Sequence, residues 1–185
     1  SENGLVPILG GGRLSGRTGK YTLGLLSLQV NEFEEIPSTN FSLIRVSRDI
    51  FGSSVLGGIF INKQATSQDF NRTYGADANF TFFDFLNLSS FLLKTETPEI
   101  PGQDMAGRFG INWTDPLLSL EASYLSIQED FNPEVGFVPR TGIRKTAGTF
   151  AVRPRSGDRI PSIREFEPSV NVAYITDQEN VLATR

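Results

Sequence analysis

The chain has 185 residues, 38% of them hydrophobic, with 18 glycines, 15 phenylalanines and a formal charge of −4. No stretch approaches the ~18 consecutive apolar residues of a membrane-spanning helix, so helical spans are excluded. The chain contains neither cysteine nor histidine. Zinc sites, thiol nucleophiles, disulfides and imidazole bases are therefore unavailable, no cofactor is expected, and singly scattered basic residues give no footprint for nucleic acid.

In chain order, Ser1-Glu2-Asn3-Gly4 lacks the charged and apolar regions of a signal peptide, which implies one already removed or lying upstream. Alternating apolar and polar residues then predict strands at about 8–18, 20–31, 40–50, 53–64, 72–83, 86–96, 104–114, 117–130, 143–155 and 162–175. Gly10-Gly11-Gly12 and Gly19-Lys20 do not make a phosphate loop, because Leu14 stands where its first glycine belongs and Tyr21 follows the lysine. In the second strand Leu23, Leu25, Leu26, Leu28 and Val30 switch parity, which requires a bulge near Leu25 or apolar residues on both faces. Glu32, Glu34 and Glu35, like Asp177 and Glu179, read as solvated acidic loops, since their spacing matches no calcium loop.

The alternation is most regular in the middle of the chain. Tyr74, Ala76, Ala78, Phe80 and Phe82 share one face, and Phe109, Ile111 and Trp113 repeat the pattern. The opposite face carries Asp77, Asn79, Arg108 and Asn112, followed by Glu121 and Glu167 on later strands. Links at 19–20, 51–53, 84–85, 115–116 and 155–161 are short, whereas those at 32–39, 63–71, 97–103, 130–142 and 176–180 are longer. Short turns on one rim, long loops on the other and strands of ~9–11 residues describe an antiparallel up-and-down meander, and they suit an outer-membrane barrel. Tyr21, Tyr74, Phe82, Trp113, Tyr124 and Tyr174 lie near strand ends, where aromatic girdles belong. Sequons at Asn40, Asn71, Asn79, Asn87 and Asn112 read as chance products of composition, because several lie inside strands.

The segment Asp130, Phe131, Asn132, Pro133, Glu134, Val135, Gly136, Phe137, Val138, Pro139, Arg140 is a stiff loop rather than a flexible one, with two prolines and a glycine among apolar residues. It is a candidate for recognition or gating. In its structural reading Phe131, Phe137 and Val138 pack over a barrel mouth while Arg140 meets a carboxylate such as Glu134.

This loop, the later Arg153-Pro154-Arg155, the strand Phe41 to Asp49, the run Asn71-Arg72-Thr73-Tyr74-Gly75-Ala76-Asp77-Ala78 and the opening Gly10-Gly11-Gly12-Arg13-Leu14-Ser15-Gly16-Arg17 together resemble the family called DUF5916. The resemblance implies the β-barrel region of a bacterial outer-membrane protein, commonly placed behind a domain related to family 9 carbohydrate-binding modules. It implies no catalytic residues. The expectation is therefore an all-β chain of about ten long strands over 1–185, a transmembrane β-barrel or a fragment of a larger one. Its partners would be outer-membrane lipid, the remainder of its own barrel or partner chains, and glycan. Its function would be non-enzymatic: passage, docking or display of surface material. The alternative is a soluble β-sandwich carbohydrate-binding module. The ending Val181-Leu182-Ala183-Thr184-Arg185 reads as a further strand beginning.

Overall fold

The computed structural model describes residues 7–33, 37–98, 100, 102–153 and 166–183. Ten strands run in chain order: β1 (Ile8–Thr18), β2 (Tyr21–Val30), β3 (Thr39–Ile50), β4 (Ser54–Gln64), β5 (Phe70–Phe82), β6 (Leu86–Glu96), β7 (Met105–Thr114), β8 (Leu118–Ile127), β9 (Ile143–Val152) and β10 (Ser169–Thr176). Each pairs antiparallel with the next, so the fold is one open up-and-down sheet with β1 and β10 at its edges. Beyond β10 the chain turns back, Leu182 pairs with Thr176, and the N–H of Ala183 donates to the carbonyl of Ile175 at 2.9 Å. Among the described residues there is no helix.

The parity switch in β2 has a simple resolution. Its pairing with β3 is uninterrupted: Leu23 and Leu25 lie opposite Val46 and Ile44, while Leu26 and Leu28 lie opposite Leu43 and Phe41 on the other face. The second strand is thus apolar on both faces, and the irregularity falls instead between Ile8 and Gly10 of β1. Other departures concern strand ends. β8 stops at Ile127 because the N–H of Met105 is taken by the Gln128 side chain at 2.8 Å rather than by a strand carbonyl. β9 stops at Val152, and β10 starts only at Ser169, after Pro168, whose nitrogen has no hydrogen to donate. The expected short turn at 155–161 lies outside the described residues, and the whole 153–168 connection is long for the rim that carries it.

That rim otherwise holds tight turns, and two use phenylalanine in the left-handed region. Phe51 (φ 44°) precedes Gly52 (φ 75°), and Phe83 (φ 54°) precedes Asp84 (φ 64°), as hairpin turns with two positive φ values require. Both rings are mostly uncovered, at 84% and 78% exposure. Phe83 stacks on Phe85 (centroids 5.8 Å apart), and Phe85 meets Trp113 at 4.5 Å.

Cross-strand register sorts the side chains into two faces. The first is apolar along nearly every strand, and Leu14, Leu23, Leu25, Ile44, Leu56, Leu92, Phe109, Tyr124, Phe150 and Val172 stand uncovered on it. Its apolar band does not follow the hydrogen-bonded rows. One row reads Leu23, Val46, Gly58, Ala76, Leu92, Gly107, Ser126 and Arg144, apolar on β2 and charged by β9. Another reads Phe82, Leu86, Trp113, Leu120, Phe150 and Val170, apolar throughout the later strands. The band therefore climbs across the rows by roughly one residue per strand, the stagger that goes with strands tilted ~35–45° to a common axis. The second face is divided along its length, polar toward the short turns and apolar toward the long loops, where the buried cluster sits.

Candidate functional site

The apolar end of the second face is covered by the loop 128–142, which leaves β8 and returns to β9. Phe131 is 3% exposed and packs with Ala106, Ile127 and Ile143, flanked by Leu93, Leu125, Val138 and Ile175. Gly75 makes room for this layer: a Cβ there would come 2.3 Å from Leu93 Cδ2 and 2.8 Å from Ile59 Cγ2. Burying a phenylalanine ring contributes about 1.5–3 kcal/mol, and here it draws the loop down onto the strands.

Buried polar side chains fix the loop beyond Phe131. Asn71 and Thr95, each 1% exposed, stand at the long-loop ends of β5 and β6. Asn71 Nδ2 donates to the Asn132 carbonyl at 2.7 Å and to Thr97 Oγ1 at 2.8 Å, while its Oδ1 accepts from the Glu134 N–H at 3.2 Å. The Asn132 N–H donates to Thr95 Oγ1 at 3.1 Å. Glu134 also pairs with Lys63 of β4. Asp130 holds the near end, its Oδ2 accepting from the Gln103 N–H at 3.0 Å, and the Gly136 N–H closes a turn on the Pro133 carbonyl at 2.9 Å.

Two details of the loop differ from expectation. Phe137 is 88% exposed and does not pack, because its neighbour Val138 takes the place over the cluster. Glu134 pairs with Lys63 rather than Arg140, since the loop crosses the sheet as far as β4 instead of folding on itself; Pro139 and Arg140 are exposed. Asn71, one of the sequon asparagines, is buried beneath the loop and closed to any glycan.

Toward the short turns the same face is polar. Asp77, Asn79, Arg108, Asn112 and Glu121 all project from it, as the alternation implied. Glu167, just before β10, lies on this face as well: Pro168 stands opposite Val152, so Glu167 falls opposite Arg153 and pairs with it at 2.9 Å. One hydrogen-bonded row reads Thr81, Asn87, Asn112, Glu121, Thr149 and Asn171. Within it Thr149 Oγ1 donates to Asn171 Oδ1 at 2.8 Å and Asn87 Nδ2 to Thr81 Oγ1 at 3.2 Å, and Asn87 Nδ2 also donates to Asn79 Oδ1 of the next row at 2.8 Å. Arg45 of β3 grips Asp77 of β5 with both guanidinium branches, Nη2 meeting Oδ1 at 2.8 Å. The bridge passes over Gly57 of β4, where a Cβ would lie 2.7 Å from both partners, so glycine is what allows two strands to be joined across a third. Arg17 of β1 likewise pairs with Asp49 of β3 across β2, through one guanidinium nitrogen. A cavity of about 140 Å³ is lined by Asn87, Ser89, Arg108, Asn112 and Glu121.

Comparison of the chain with protein-family models, curated proteins and solved structures yields no match.

The loop's partners Lys63, Asn71 and Thr95 escape a reading of the sequence, where nothing ties residues on β4–β6 to a loop after β8. Among the described residues no three His, Cys, Asp or Glu side chains gather to hold a metal. What the face offers chemically is hydrogen bonding and charge, arranged below a fixed apolar cap.

Proposed function

We propose that this sheet is part of the wall of a bacterial outer-membrane β-barrel, apolar face to lipid and polar face to the interior, with loop 128–142 seated in the long-loop end as a fixed plug. In this reading the role is non-enzymatic: passage, docking or display of surface material, glycan included. The observation that carries it is the uncovered apolar band that climbs across the hydrogen-bonded rows. A band level with a membrane must cross tilted strands obliquely, and the length of the strands agrees with such a crossing. Phe51 and Phe83, exposed on one rim despite the cost of left-handed backbone, suit an aromatic boundary layer at the lipid surface.

Neither edge of the sheet could face hydrocarbon, because each unpaired backbone group there costs several kcal/mol. β1, β10 and the 181–183 segment would continue into further strands of the same protein or of partner chains. The alternative, a soluble β-sandwich carbohydrate-binding module, needs a second sheet over the apolar face, and the ten strands lie in one sheet. Purification decides between them. The barrel-wall reading expects folded, monodisperse protein only with detergent or lipid; a chain that stays folded and monodisperse without detergent or partner chains refutes it.

A further inference from the structure

We infer that Arg108 and Lys145 form a receptor for small polyvalent anions on the interior face, beneath the docked loop; the inference rests on the barrel-wall reading. The register sequence Phe91, Arg108, Leu125, Lys145 places the two cations on one row and one face, two strands apart, which is about 10 Å between their backbones. Among the described residues neither has a carboxylate within ion-pairing distance, whereas Arg17, Arg45 and Lys63 on the same face hold Asp49, Asp77 and Glu134. The face therefore neutralises Arg17, Arg45 and Lys63 on β1, β3 and β4 and leaves these two open, along with Arg13 on the far edge strand β1.

Arg108 is also held in place. Its Nη1 lies 3.4 Å from Ser89 Oγ, and its guanidinium spreads over Gly110, where a Cβ would meet both Nη atoms at 3.4 Å. Leu125, between the two cations, packs upward against the Phe131 cluster. Apolar side chains thus border the pair on one side, and low-dielectric walls concentrate the field of charges that line a cleft. Glu121 lines the same cavity as Arg108 and opposes anion binding. A solute with two or more phosphate or carboxylate groups can bridge the cations and outweigh that repulsion, which a monovalent anion cannot.

The test is calorimetric titration of inorganic triphosphate, at low salt, into the full-length protein in phosphatidylcholine nanodiscs, with empty nanodiscs as blank. Triphosphate should bind. Arg108→Gln and Lys145→Gln should each weaken it about fivefold, the size of one close charge contact in a solvated site, and the double variant should abolish it. Glu121→Gln should tighten binding several-fold, and Lys20→Gln, on an exposed turn, should leave it unchanged. Absence of triphosphate binding by inserted wild-type protein, or equal binding by the double variant, overturns the proposal. Protein that does not enter nanodiscs overturns the barrel-wall reading instead.

Discussion

Arginine placed along a single hydrogen-bonded row should cost very different amounts at its two ends. Leu23 on β2 and Ser126 on β8 belong to one row. On β2 the apolar residues Tyr21, Leu23 and Leu25 centre on Leu23, whereas on β8 Leu118, Leu120, Ala122 and Tyr124 centre well toward the short turns from Ser126. A drift of roughly five residues, at ~3.3 Å each and a tilt of ~40°, displaces Ser126 by about 13 Å from the band centre, the edge of an apolar belt ~25 Å tall. Leu23→Arg should then cost about 2–4 kcal/mol and Ser126→Arg about 0–1 kcal/mol; Ala122→Arg, near the centre on β8, should match Leu23→Arg. Urea unfolding of the full-length protein from lipid vesicles, followed through Trp113, the single tryptophan of this chain, measures these differences. Equal penalties at Leu23 and Ser126 would refute the oblique band, and no penalty at Leu23 would refute lipid contact.

Phe131→Ala should cost about 3–5 kcal/mol, as for a large ring removed from a packed site, and Asn71→Ala about 1–3 kcal/mol through the loop amide and carbonyl left without partners; both should speed proteolysis within 128–142 while sparing strand cleavage. Gly57→Val should cost about 1–3 kcal/mol by forcing Arg45 and Asp77 apart, and a thermal-unfolding cycle with Asp77→Asn should show the two changes to be less than additive. The Asp115 carboxylate accepts from Trp113 Nε1 at 2.9 Å and from the N–H groups of Leu117 and Leu118 at 2.7 and 2.8 Å, the indole bond first in weight, which lowers its pKa from the ordinary carboxylate value. A depressed folded pKa means that this turn's stabilisation is complete above the unfolded pKa and fades as pH falls through the folded one. Trp113 emission should change on acidification with a midpoint below the usual carboxylate range, and Asp115→Asn should remove that transition.

Strand order, strand number and the two faces were legible because a period of two is a local signal, and β5 and β7 show it without interruption from Tyr74 to Phe82 and from Phe109 to Trp113. The parity switch in β2 was equally visible, but its cause was not, since only the neighbouring strand shows whether an apolar pair faces an apolar pair. Glu167 keeps its face although Pro168 postpones β10 past it, because the register runs on to Arg153. The loop's stiffness could be read from its prolines, and burial of Phe131 follows from its chemistry. Its anchors could not: Asn71 and Thr95 look like ordinary strand residues until register brings three strands beneath a loop that begins some thirty residues later in sequence than the second of them.

Because the loop after β8 closes on Lys63, Asn71 and Thr95, it samples the alignment of strands already laid down before it is made. A slip of one residue in β5 would turn Asn71 onto the opposite face, where neither Asn132 nor Glu134 could reach it. Docking is thus completed only by sheets whose earlier hairpins are correctly offset. Damage to these anchors should show mainly as faster unfolding rather than slower folding.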